Sequence, residues 1–276
     1  MAEGDLTRIR ANIAALNALN SLKGINKQLG VHSLRLATGK RLNSSADDPA
    51  GLTLAKRLDA RSRSLSQALA NIGDAQNVLS IAEGGANNIQ SLLVQMREKI
   101  IQAGNDTLGT GERTAIFQQL GQLALEIDDV VRETTFNNVQ MLTNVLFTFQ
   151  TGANGTDITT FNVSGTFTSA ALAVNNLTVA SQALASVSLA SVDAALVSVS
   201  NMLQDIGAKM QRMGVKEQTV ATAVVNTEAA RSRIEDADMA REQLEATKLQ
   251  ILQQTATAML AQANVAPQAI LGLFQR

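Results

Sequence analysis

The stretch that most constrains this chain is its last forty-odd residues. From Ser232 they read SRIEDADMAREQLEATKLQILQQTATAMLAQANVAPQAILGLFQR, with no proline before Pro267 and no glycine before Gly272. Leu249, Leu252, Ala256, Met259 and Ala263 recur at steps of 3, 4, 3 and 4, which predicts a single seam along one helix. The seam is narrow and partly alanine. A lone helix with so little apolar area does not hold itself folded in water, so it demands a partner helix.

The start of the chain offers that partner. From about Leu6 to Leu42 the pattern is helical, with Ile9, Ile13 and Leu16 followed by Leu22, Ile25, Leu29, His32 and Leu36. Gly24 and Gly30 weaken this helix by about 1 kcal/mol each relative to alanine. His32 is the only histidine and lies on the seam, where it reads as a packing residue.

Between these ends the helices are longer. Asp48 followed by Pro49 is an N-cap and a first-turn proline, a cap reading that outweighs a metal site built from Asp47 and Asp48. The helix it opens should run to about Ala103, roughly 80 Å if unbroken. Its stripe passes through Leu58, Leu65, Leu69, Ile72 and Leu79, then Ala86, Ile89, Leu93, Met96 and Ile100, and Gly84-Gly85 marks a kink or a close helix contact. A third helix carries Phe117, Leu120, Ala124, Ile127 and Val131 and ends at TTFNNVQMLT.

Beyond it, no Lys or Arg occurs between Arg132 and Lys209. LFTFQ and DITTFNV alternate around TGANGT, which predicts a β-hairpin over 145–163. Residues 164–190 are rich in Ser, Thr, Ala, Asn and Val, and read as a short exposed segment. A fourth helix is expected from about Ser191, with Leu196, Val199, Leu203, Ile206, Met210 and Met213 on its stripe. The fold class expected is mainly α: a long antiparallel helix bundle or coiled-coil rod with a small β-hairpin region at the far end.

The inventory of chemistry is short. With one histidine and no cysteine, most acid–base and nucleophilic arrangements and all thiolate chemistry are excluded. No phosphate-binding loop, dinucleotide fingerprint or metal-ligand spacing occurs, so neither an enzyme nor a cofactor is expected. Carboxylate pairs at Asp128-Asp129 and Glu235-Asp236 stand among arginines and read as solvated ion pairs. A net charge of −1 gives no reason to expect nucleic acid. The first residues lack a signal-peptide core and no stretch reads as a membrane span, so neither a cleaved signal nor a membrane partner is expected. Only 3% of residues are aromatic, which favours long, closely packed helices over a globular core.

Both ends resemble bacterial flagellin. The likeness lies in RLATGKRLNSSADDPAGLTLAKRL near the start, and in SRIEDADMA and ILQQTATAMLAQAN near the end. TTFNNVQML, FQTGANGTDIT and LQDIGAKMQRM fit the same pattern, so the resemblance spans nearly everything outside 164–190. It implies an extracellular structural subunit that self-assembles into the helical flagellar filament, with a hook–filament junction protein as the alternative.

The resemblance also implies the layout. Residues 1–44 and 235–276 would pair as the inner coiled coil of the filament core, through Ile9, Ile13, Leu16, Leu22, Ile25, Leu29 and Leu36 on one side and Leu249, Leu252 and Met259 on the other. Residues 45–163 and 191–234 would form a helical rod, joined to the core at the turn capped by Asp48 and Pro49. The implied partners are further copies of the chain, an export chaperone, and cap and junction proteins. The segment at 92–102 aligns with the stretch that the vertebrate Toll-like flagellin receptor recognises. There Arg97 and Glu98 match the family, whereas Gln95 and Lys99 replace its usual Arg and Leu, which implies weak receptor contact.

Overall fold

The computed structural model describes residues 12–162 and 165–274, with side chains described as far as residue 265. Ile9 lies outside the described residues. The chain is mainly helical: α1 (Ile13–Thr38), α2 (Pro49–Ala103), α3 (Thr110–Glu133), α4 (Gln182–Glu235) and α5 (Met239–Phe274). Two small antiparallel pairs accompany them, β1 (Thr135–Phe136) with β2 (Val139–Gln140) and β3 (Leu146–Gln150) with β4 (Ile158–Asn162). The chain divides into two compact units, Met1–Ala60 with Thr227–Arg276, and Arg61–Asn226.

The central unit holds the large core. Along α2, Ile72, Leu79, Ile89, Leu93, Met96 and Ile100 are all but inaccessible to solvent, on the stripe that the sequence predicts. Alanines at 75, 82 and 86 lie between them and are equally buried. The helix is continuous through Gly84-Gly85, and the second glycine is a close contact rather than a kink. A Cβ on Gly85 would lie 2.6 Å from Thr134 Oγ1 and 2.9 Å from Leu142 Cδ1, whereas nothing stands within 4 Å of one on Gly84. From α3 the core takes Ile116, Leu120, Ala124, Ile127 and Val131; Phe117, expected on that face, is exposed.

After α3 the chain turns back through β1 and β2. Asn137 and Asn138 adopt φ of 50° and 64°, the left-handed pair that a tight two-residue hairpin needs and that asparagine tolerates. The expected hairpin is β3–β4, in register from Leu146↔Asn162 to Gln150↔Ile158. Phe147, Phe149 and Phe161 cluster on it, the last two stacked with centroids 5.2 Å apart. At its turn Asp157 accepts from the backbone N–H and the side-chain amide of Asn154.

Three expectations are corrected. The segment before α4 is not an exposed loop: Phe167, Leu172, Val174, Leu177 and Val179 are all buried in the central core. Asp128 ties it down by accepting from the Ser169 N–H and hydroxyl, each at 2.7 Å, so Asp128 is not part of a solvated ion pair; Asp129 is, with Arg132. The fourth helix begins at Gln182, nine residues before the expected Ser191, and its early turns contain a stretch long and apolar enough to cross a membrane by length and composition. That stretch buries Val192, Ala195 and Val199 in the core, and Asp193 within it pairs with Arg97 at 2.7 Å, whereas Val187 and Val197 on its other faces are exposed, so only one of its faces is core.

Candidate assembly surface

The terminal unit is built on the pairing of α1 with α5. α1 starts at Asn12, whose side chain accepts from the Ala15 N–H at 3.0 Å and donates to the Ala263 carbonyl at 2.7 Å. It stops at Gly39, whose φ of 70° and N–H bond to the Arg35 carbonyl make a left-handed cap that glycine adopts without strain. The chain next forms a short extended contact with the stretch before α5. Arg41 N–H donates to the Glu235 carbonyl at 2.7 Å, and Ala237 N–H to the Gly39 carbonyl at 2.9 Å.

Side chains close this clamp. Lys40 reaches the buried Glu235 carboxylate at 2.5 Å. Arg231 approaches the same carboxylate and also bonds Asp59 and Glu228; the Glu228 bond is the main reason its guanidinium titrates above its ordinary value. Glu235 is thus a buried, paired charge, not the solvated one expected. Beyond the clamp, Asp238 Oδ1 accepts from the N–H groups of Ala240 and Arg241 and caps α5.

On the other side of the clamp, Asp48 caps α2 as expected, its side chain accepting from the Gly51 N–H at 2.9 Å ahead of Pro49. A Cβ on Gly51 would stand 2.3 Å from that carboxylate, so any other residue there would push the capping side chain aside. Asp47 accepts from the backbone N–H groups of Asn43 and Ser44, and these bonds hold its carboxyl below its ordinary value.

Between the helices the seam runs half-buried through Ala15, Ala18, Leu19, Leu22, Ile25, Leu29, His32 and Leu36 of α1. No described residue of α1 is fully buried. Ile13 and Leu16, expected on the seam, are 51% and 55% exposed. On α5 the seam runs through Glu242, Ala246, Leu249, Gln253, Ala256, Leu260 and Ala263, the first three buried and the rest half-buried. Leu252 and Met259 therefore lie off it, 42% and 63% exposed, and Gln253 and Leu260, each one residue later, take their places. The helix pair leaves apolar side chains on outer faces of both helices.

One seam residue is not simply packing. His32 Nδ1 lies 2.5 Å from Glu242 Oε2, with Arg35 Nη1 3.4 Å from Oε1. The sequence carries no signal for this contact, since nothing in it separates Glu242 from a solvated helix carboxylate.

In the central unit, Gln95 and Glu98 are exposed and Lys99 half-exposed, lining a groove with Gln119, Gln122, Leu123 and Glu126 of α3. Arg97 points elsewhere, to Asp193. Among the described residues no group of acidic, His or Cys side chains is arranged to hold a metal ion.

Comparison with known proteins gives this architecture its context. A family model described as the bacterial flagellin N-terminal helical region matches residues 9–146, and one for the flagellin C-terminal helical region matches 189–274. The chain is 34% identical over 275 residues to a flagellin of Halalkalibacterium halodurans, covering 97% of this chain and 99% of that one. With a flagellin of Listeria monocytogenes the identity is 32% over 284 residues, covering 97% and 99%. The crystal structure of Bacillus cereus flagellin is similar at a TM-score of 0.49 and 21% identity, over 59% of this chain and 94% of that one. Two helical regions at opposite ends of the sequence, matched by both family models and continuous with relatives along nearly their whole length, make this chain a member of the bacterial flagellins, the structural subunits of the flagellar filament.

Proposed function

We propose that this flagellin joins the filament by packing its α1–α5 pair against the pairs of neighbouring copies, and that the apolar residues off the seam make those joints. The observation that carries the reading is the incompleteness of the pair: α1 buries no described residue fully, and Leu16, Leu252 and Met259 are left in water. Such a pair has only enough buried area to be marginally stable alone, and like rows on adjacent copies supply the missing cover. Leu22, Ile25, Leu29, Leu36 and Leu249 take the inner positions of the same core. Electron cryo-microscopy of filaments grown from the purified chain tests this. Leu252 and Met259 should be enclosed by side chains of neighbouring subunits; finding both lining the open channel would refute the assignment.

Before assembly the same rows on α5 are the natural docking face for an export chaperone, and cap and junction proteins would meet them at the filament ends. Removing residues 235–276 should abolish chaperone capture while leaving the central unit folded. Contact with the Toll-like receptor should be weak. Gln95 offers no cationic donor, Lys99 replaces an apolar contact, and Arg97 is engaged by Asp193. Strong signalling by pure protein in reporter cells would contradict this.

A further inference from the structure

We infer that the cluster of Glu242 with His32 and Arg35 sets the register in which α1 and α5 pair. This rests on the reading that the two terminal helices pair within the filament.

The rest of the seam discriminates poorly between registers. On α5 it presents Ala246, Leu249, Ala256, Leu260 and Ala263, and on α1 alanines, leucines and one isoleucine. Sliding one helix past the other by a turn exchanges apolar neighbours of similar kind and changes the buried area little. Gln253 donates to Asn26 at 2.8 Å, but that pair is water-accessible and finds other partners after a slip.

Glu242 differs because it is buried. Its two oxygens are met by His32 at 2.5 Å and Arg35 at 3.4 Å. The contacts His32–Glu242, Asn26–Gln253 and Asn12–Ala263 fix the antiparallel alignment. Moving α5 by one turn away from the clamp brings Glu242 opposite Leu29, which cannot donate; a slip the other way, toward Leu36, keeps Arg35 beside it but breaks the backbone bonds of the clamp. A slip of two turns brings it to Ile25. A carboxylate enclosed without a donor is strongly disfavoured, so each register displaced away from the clamp carries a penalty that the apolar positions do not impose. A single buried polar residue fixing the alignment of a helix pair is the best-attested use of such groups.

The placement adds to the effect. Glu242 lies one turn into α5, next to the clamp formed by Lys40, Glu235 and the backbone bonds between Gly39–Arg41 and Glu235–Ala237. Glu242, Ala246 and Leu249 are buried, whereas every described seam residue farther along α5 is only half-buried. The pair is therefore tightest beside the clamp, and the register chosen there is inherited by the thinner part beyond it.

The chain has no cysteine, so spin labels can be placed cleanly. Labels on Asn17→Cys and Lys248→Cys, both exposed, report the axial alignment of the helices within one subunit. Labelled chains would be co-assembled with a large excess of unlabelled chain, and the distance distribution read by pulsed electron spin resonance. The parent should give one narrow distance. The double variant His32→Leu/Glu242→Leu should incorporate but give a second population displaced by about 5 Å, one helical turn. Glu242→Gln, which can accept from Arg35 through its amide oxygen and donate its NH2 to the bare Nδ1 of a neutral His32, should keep the single distance. An unchanged narrow distribution in the double-leucine chain overturns the inference, as does its failure to enter filaments that Glu242→Gln chains enter. Failure of the parent chain itself to assemble would instead refute the reading of paired terminal helices in a filament.

Discussion

The strongest prediction concerns two side chains that contribute little to the isolated chain and much to its polymer. Leu252 is 42% exposed and Met259 63% exposed, while Leu249, on the same helix, is buried. Fully burying a side chain of this size is worth about 1.5–3 kcal/mol, so covering what Leu252 still exposes is worth about 1 kcal/mol, and for Met259 about 1.5 kcal/mol. Truncating each to alanine should therefore raise the critical concentration for assembly about five-fold for Leu252→Ala and about ten-fold for Met259→Ala, taking 1.4 kcal/mol per factor of ten. Leu249→Ala removes a buried side chain from the intrachain seam, so it should weaken the α1–α5 pair itself by about 2–4 kcal/mol. Sedimentation of seeded reactions gives the critical concentrations, and circular dichroism of the free chains gives the helix content. The reasoning fails if Leu252→Ala and Met259→Ala leave the critical concentration unchanged. It also fails if they melt helix in the free chain as strongly as Leu249→Ala does.

Further outcomes follow from the central unit and the turn before α2. Phe167→Ala should lower the stability of the central unit by about 3–5 kcal/mol, because the ring is buried; a thermal midpoint shifted by no more than a surface substitution would contradict its burial. Gly85→Ala forces a methyl against Thr134 and Leu142 and should cost about 1–3 kcal/mol, whereas Gly84→Ala meets nothing and should stabilise the helix by up to about 1 kcal/mol in denaturant titrations. Asp47 has a folded-state value below its ordinary 3.8, so its contribution is present above that value and is lost as pH falls through the lower one. In acid titrations Asp47→Asn should flatten the dependence of stability on pH below about 4, and an unchanged acid limb would refute the assignment.

How much was legible in the sequence depends on how strongly each element declares its period. α2 carries isoleucines, leucines and a methionine at unbroken helical spacing, so its core face was readable residue by residue, as was the Asp48-Pro49 start. α5 is harder because alanine and glutamine occupy much of it. A seam through Leu252 and Met259 competes with one through Gln253 and Leu260, and the choice is made by the polar contacts to Asn26 and His32, which no periodicity records. The same one-residue ambiguity places Ile116 rather than Phe117 in the core of α3.

The stretch from Phe167 to Val179 hid for a different reason. Its apolar residues are spaced for irregular backbone, and its lack of charge resembled a loop. The buried Phe167, Leu172 and Val174 and the bonds from Ser169 to Asp128 reveal that it is packed down. The β1–β2 turn could have been found: two asparagines between TF and VQ are a hairpin signal in their own right. Glu242 and Glu235 were out of reach, because charged residues on a helix surface and charged residues buried beside a lysine or histidine look alike in one dimension.

The central claim is that the terminal helix pair makes this chain a self-propagating filament subunit. Short filament seeds would be added to the purified full chain and, in parallel, to a chain ending before Glu235, and both inspected by negative-stain electron microscopy. The account predicts long tubes growing from seeds with the full chain and none with the shortened one. Equal growth from both would contradict the role given to α5, and no growth from the full chain would contradict self-propagation itself.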